Sequence, residues 1–317
     1  MNPIYRRGAQ GPEVARLQQR LAALGFYNGP ADSDFGGGTD AAVRAFQKSQ
    51  TLPRNGIVNQ PLWAALFPGE MIAPPSLWKE PLWMQCLAMT GRMETNLPLP
   101  ECFTGLSGDF DGQGISFGAL QWNLGQKSLQ SLLSEMNREH GTVLTAVFGP
   151  NAAPLRAMLG ESHAAQLTWA RSIQDLRKRI HEPWRGQFKS LGRTPEYQSI
   201  QKSAAKAIFD AAAAQAAVYG LRSGRGRALL FDIAVQNGGI ARETRRKILA
   251  DIARLTAREA AHKMEVARMR IIANRRADAA SAKWREDVRK RKLMIAEGEG
   301  TVHGTPFRLE EQYGIKL

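Results

Sequence analysis

The stretch GDFDGQGISFGALQWN, from Gly108 to Asn123, carries two aspartates two residues apart in a glycine-rich run that leads into alternating apolar residues. The glycines allow a tight positive-φ loop, and the alternation after them predicts a strand of a short β-hairpin. Upstream, PLWMQCLAMTGRM from Pro81 to Met93 is apolar nearly all round, which predicts a helix buried in the middle of its domain. Glu94 stands at its end. The helix macrodipole is negative there and the surroundings are dry, so both effects favour the protonated carboxyl.

A helix ending in Glu, a loop, and a glycine-rich hairpin bearing Asp suit the cleavage of a glycosidic bond. One carboxyl protonates the leaving oxygen while the other activates water or stabilises the cation. Glu94 and Asp111 are the candidate pair. Two alternates stand beside them. Glu101 lies in a loop between prolines, a poorer place to shift a pKa than a helix end. Asp109 shares a face with Asp111 in an extended stretch and is expected to assist or support.

This order is similar to that of the lysozyme superfamily, and more closely to the chitosanases of glycoside hydrolase family 46. Met93-Glu94-Thr95-Asn96 is followed 17 residues after Glu94 by Asp111-Gly112-Gln113-Gly114-Ile115-Ser116-Phe117-Gly118. The resemblance implies that Glu94 is the general acid and Asp111 the general base, with Ser116, where that family has threonine, orienting the water; by analogy it implies inversion. Leu120-Gln121-Trp122-Asn123 is closer to the corresponding strand of lytic transglycosylases and goose-type lysozymes, so Gln121 and Asn123 are expected to bind substrate. A second buried helix, Leu229 to Ile240, ends in Gln236-Asn237-Gly238-Gly239, and the same superfamily implies Asp232, Gln236 and Asn237 as further cleft residues. Arg275 or Arg276 could neutralise Asp111.

The first seventy residues read as a separate unit. Val14, Leu17, Leu21 and Leu24 recur at helical spacing, and Gly25 closes that helix. Thr39 is the expected N-cap of a second helix with Ala42, Val43 and Phe46 on its apolar face, and Leu52, Ile57, Trp63 and Leu66 complete a small core. The series Gly8, Gly11, Val14, Leu17-Gln18, Leu21, Leu24-Gly25-Phe26-Tyr27, then Asp32, Phe35-Gly36, Thr39, Phe46-Gln47, Gly56-Ile57-Val58 and Trp63 resembles the three-helix peptidoglycan-binding domain of bacterial and phage wall hydrolases. Tyr27, Asp32, Asp34 and Phe35 are the expected contacts to glycan or stem peptide. Pro68 to Ser76 reads as a linker.

The expected architecture is therefore mainly α. Residues 1–67 form a small three-helix binding domain, 68–77 a linker, and 78–317 a larger lysozyme-like α-helical domain with a short β-hairpin. The chain carries a formal charge of +14, and residues 241–295 hold 17 Lys/Arg against 7 Asp/Glu. That basic helical stretch predicts attraction to lipopolysaccharide or an anionic membrane, or else a solvated face. Aromatic residues do not interleave the basic run, so no nucleic-acid partner is expected. Cys86 and Cys102 lack CxxC spacing, leaving open one bridge between them, and His140, His163, His181, His262 and His303 are scattered, so neither a metal nor another cofactor is expected.

No secretory h-region precedes the first unit, and no run approaches a membrane span. Synthesis in a host cytoplasm and action on the periplasmic wall are expected, as a monomer. The resemblance implies a modular phage endolysin, an N-acetylmuramidase acting on peptidoglycan. The alternatives are a chitosanase-like hydrolase, a lytic transglycosylase, or a non-catalytic wall-binding protein.

Overall fold

The computed structural model describes residues 2–255 and 261–317, and they are mainly helical. They divide into two compact units, residues 1–89 with 208–317 and residues 90–207.

The first unit begins with three helices, α1 (Pro12–Ala23), α2 (Gly37–Ser49) and α3 (Gln60–Leu66). Val14, Leu17, Leu21, Val43, Phe46, Trp63 and Leu66 close around one core, as their helical spacing requires. Three details differ from what the sequence predicts. Leu24 is the C-cap of α1 and is 37% exposed, because the chain turns away from the core there. Gly36, not Thr39, caps α2; Thr39 is buried one turn in, where its hydroxyl accepts from Gln18 Nε2 at 3.0 Å. Val58 rather than Ile57 fills the core, through its bridge to Tyr5. The buried Gln18 amide also donates to Asp32 Oδ1 and the Asp34 carbonyl and accepts from Ser33 N, so one polar side chain organises the whole loop.

The expected linker is held down. Ile72 N donates to Gln60 Oε1, the Tyr5 hydroxyl donates to the Ala73 carbonyl, and Arg16 pairs with Glu70. Later in the chain the same unit contains α10 (Gly224–Asn237), α11 (Arg242–Ala253), α12 (Ala261–Asp278) and α13 (Arg285–Glu297). A hairpin of β4 (Glu299–Val302) and β5 (Thr305–Arg308) follows, turning on His303-Gly304, both at positive φ, and a π-turn spans Leu309–Tyr313. Glu311, 8% exposed, accepts a two-pronged bond from Arg6, and its carbonyl accepts from Trp78 Nε1.

The division between the units falls within α4 (Leu82–Thr95), whose residues from Met84 to Met93 are all buried, matching the all-round apolar reading. The second unit adds β1 (Leu106–Ser107), β2 (Ser116–Phe117) and β3 (Trp122–Asn123), an antiparallel sheet in that order. It continues through α5 (Ser128–Phe148), α6 (Ala152–Gly160), α7 (His163–Ser172), α8 (Trp184–Arg193) and most of α9 (Pro195–Ala213). The expected hairpin thus has a third strand. Phe117 of β2 stacks on Tyr197 of α9 at 5.3 Å and meets Phe188 of α8 edge-on at 5.2 Å, which pins the small sheet to the helices.

Both cysteines are buried free thiols. Burial pushes the Cys102 thiol up to about 12 and that of Cys86 higher still, so neither is an activated nucleophile.

Candidate functional site

Glu94 is the penultimate residue of α4 and is half-buried. It and the loop from Gly108 to Gly114 lie in the same compact unit. Arg92, two residues earlier, donates from Nη1 to the Asn96 carbonyl one turn on and so helps close the helix end.

The two loop aspartates have opposite environments. Asp109 is 7% exposed and accepts from Arg171 Nε and from Gly114 N, both at 2.8 Å. Burial alone would raise its pKa. The Arg171 hydrogen bond, the Gly114 N–H and the charges of Arg171 and Lys178 outweigh that and hold the carboxyl below its usual range. Its own N–H donates to the side chain of Gln174. Asp109 is therefore an ionised strut inside the loop. Asp111 is exposed; its Oδ1 accepts from Gln113 N in a local turn, Gly112 follows at φ +84°, and it makes no ion pair among the described residues.

A second loop holds the first in place. A Cβ at Gly108 would lie 1.9 Å from the Lys178 carbonyl and 2.4 Å from Gln174 Oε1, so only glycine lets the two backbones approach this closely. Sequence pattern does not single out Arg171, Gln174 and Lys178, because they lie some sixty residues from the aspartates they support. Gln201, fully buried, does similar work by accepting from Ala119 N and donating to the Phe103 carbonyl. A polar residue recurring among alanines carried no periodic signal to reveal it.

Ser116 is half-buried on β2, with Asn123 opposite it on β3 and Ser107 on β1. The side chain of Gln121 is spent on the protein: it accepts from Ser107 Oγ and donates to the carbonyls of Gly105 and Gly118. Asn123, 7% exposed, accepts from Gln126 N and helps start α5. Both therefore shape the sheet from within. Glu101 sits in a short 3-10 turn and pairs with the exposed Arg193 at 3.2 Å.

In the other unit, Asp232 has no exposed surface, so it cannot be a sugar contact. Arg291 and Lys292 of α13 both pair with it, and both are buried. Burial would raise its pKa, but the two cationic charges and their hydrogen bonds bring it down to about 2. Lys292 also donates to Gln236 Oε1, while Asn237 ends α10 half-buried. Arg275 pairs with Asp251, and Arg276 is half-buried. The basic stretch is thus partly internal, with Arg246, Arg254, Arg270 and Arg289 also paired with acids. Its Arg258 lies outside the described residues. A cavity of about 420 Å³ beside α10, lined by Ala212, Tyr219, Leu230, Ile233 and Ala234 among others, is apolar and presents no carboxyl.

In the N-terminal module, Phe35 is fully buried and belongs to the core, not to a binding surface. Asp32 is exposed, and the Tyr27 hydroxyl donates to the Pro30 carbonyl. Among the described residues no group of three His, Cys, Asp or Glu is arranged to hold a metal, and no helix is long and apolar enough to cross a membrane.

Residues 10–66 match the family described as putative peptidoglycan binding domain. Those residues coincide with the three helices and their shared core. Among curated proteins, the spore cortex-lytic enzyme of Bacillus cereus is 46% identical over 56 residues, 18% of this chain and 22% of that one. The spore cortex-lytic enzyme of Bacillus subtilis is 50% identical over 46 residues, 14% and 15% of the two chains. A chloroplastic protein disulfide isomerase of Arabidopsis thaliana, pTAC5, is 37% identical over 70 residues, 21% and 18%. The chain thus spans between 15% and 22% of the length of these relatives. Among solved structures, a family 46 chitosanase of Gynuella sunshinyii in complex with chitotetraose aligns at a TM-score of 0.47 and 14% identity, over 72% of this chain and 97% of that one.

Proposed function

We propose that the protein is a peptidoglycan glycosidase, an N-acetylmuramidase of the modular endolysin type, in which the N-terminal module keeps the enzyme on the wall. The observation that carries this reading is the match of residues 10–66 to a wall-binding family, on a chain whose second unit bears Glu94 at a helix end and an unpaired Asp111 at a glycine loop tip. Tethering a weak binder to a hydrolase raises the local substrate concentration without new chemistry in the site.

In this mechanism Glu94 gives its proton to the glycosidic oxygen as the bond to the anomeric carbon breaks. Asp111 takes a proton from the water that attacks the opposite face, with Ser116 helping to orient that water. Asp109 keeps the loop in shape, its carboxyl held ionised by Arg171 and the Gly114 N–H. The division of labour is supported by the contrast between a carboxylate saturated by Arg171 and Gly114 and one left open.

Digestion of purified peptidoglycan with mass spectrometry of the products tests the reading. New reducing ends at N-acetylmuramic acid are expected, and free stem peptides without sugar cleavage would refute a glycosidase. Glu94→Gln is expected to lower turnover by at least ~100-fold, the scale of a lost general acid, with wall binding intact. Loss through Glu101→Gln instead would reassign the acid. Asp111→Asn is expected to cause a comparable loss; near-normal activity with anhydro ends would point to a transglycosylase in which one acid suffices.

A further inference from the structure

The loop that supports the aspartates is itself strongly cationic. Between the end of α7 and Ile180 the chain carries Arg171, Arg177, Lys178 and Arg179 against a single acid, Asp175. Asp175 is consumed locally: its carboxylate accepts from the backbone N–H groups of Arg177 and Arg179 and pairs with the Arg179 guanidinium. Arg171 is committed to Asp109. That leaves Arg177 and Lys178 exposed and without an ion pair among the described residues.

Their placement is fixed. The bond from Asp109 N to Gln174, the bridge between Gln174 and Ile180, and the close approach of Gly108 to the Lys178 carbonyl lock this loop against the one bearing Asp111. Phe110, 71% exposed, and Leu176, fully exposed, stand on the same two loops. The surface flanking the proposed base therefore combines two exposed cations outside any ion pair among the described residues, Lys178 acting on Asp109 only through its longer-range charge, with apolar side chains.

Such a surface discriminates between the amino-sugar polymers. Chitosan carries protonated amines, and cations beside the cleavage site repel it. A glycan bearing peptide stems presents a carboxylate on nearly every second sugar's substituent, and the same cations attract it. We propose that the 174–180 loop is a specificity element that reads the carboxylates of peptidoglycan stem peptides, through Arg177 and Lys178, while Phe110 offers its ring to a sugar face. The inference rests on the glycosidase reading above and adds to it which part of the substrate is recognised.

The test compares initial rates of reducing-end release by the full chain on whole peptidoglycan, on the same glycan stripped of stems by an amidase with its freed lactyl carboxyls then capped as methylamides, and on chitosan. Wild type is expected to prefer whole peptidoglycan to stripped glycan and to act least on chitosan. The double variant Arg177→Glu/Lys178→Glu is expected to lose about tenfold on whole peptidoglycan and much less on stripped glycan. Arg177→Lys, which keeps the charge, is expected to retain the preference, and added salt should weaken it in wild type but not in the double variant. Equal losses on both glycans, or no loss on either, would overturn the specificity role while leaving the glycosidase intact. Absence of reducing ends from every substrate would instead overturn the glycosidase reading and this inference with it.

Discussion

Two regions gather charge in opposite ways. Around Asp232 two cations converge on one carboxylate with no solvent access, and every group is consumed by the fold. Around Asp109 and Asp111 one carboxylate is consumed in the same manner, and the other is left at the surface with spare cations near it. Stability claims all the charge in the first region and only part of it in the second. What is left over is what can act on a substrate.

Asp232→Asn should produce the largest change. It leaves Arg291 and Lys292 buried against a neutral group, a loss of about 3–5 kcal/mol visible in denaturant unfolding. The same pair sets a pH dependence. Because the folded pKa, about 2, lies below the ordinary 3.8, the stabilisation is complete above pH about 4 and is lost as pH falls through about 2. A stability curve flat through that interval would contradict this ion cluster. Asp109→Asn should cost less, about 1 kcal/mol, because its partner Arg171 is half exposed and solvent screens the pair. Asp111→Asn should change stability by under ~0.5 kcal/mol, since nothing but a local turn depends on it. A stability loss at Asp111 equal to that at Asp109 would erase the distinction on which its assignment as base rests.

Local pattern and distant partnership were unequally legible. The helices could be read because Val14, Leu17, Leu21 and the apolar run from Met84 to Met93 repeat the period of the structure they form. Glu94 and the glycine loop were visible for the same reason, as a helix end and a run of glycines. What could not be read was which charges meet. Arg291 and Lys292 look like part of a solvated stripe until α13 brings them to Asp232, 59 and 60 residues away. Sequence favours Asp111 over Asp109 only through the glycine that follows it; the partners that occupy Asp109, Arg171 and Gln174, arrive from α7 and its following loop. Phe35 reverses its expected role for a related reason: its ring fills the core instead of facing a ligand, while the buried Gln18 amide scaffolds the loop beside it.

The bond from Arg6 to Glu311 bears on how the segment matched by the peptidoglycan-binding family can be handled as a part. The matched residues begin at 10, yet Arg6, Tyr5 and Gly8 all lie before them, and each is fastened outside the segment: Arg6 to Glu311, Tyr5 to Ala73, and Gly8 against Pro306 and Gln312. Cutting at the family boundary would strand a nearly buried carboxylate on the far side of the cut and uncover the turn that Trp78 clasps. The matched segment is therefore not a free-standing part in this chain: its nearest flanking residues are tied to the C-terminal hairpin and turn.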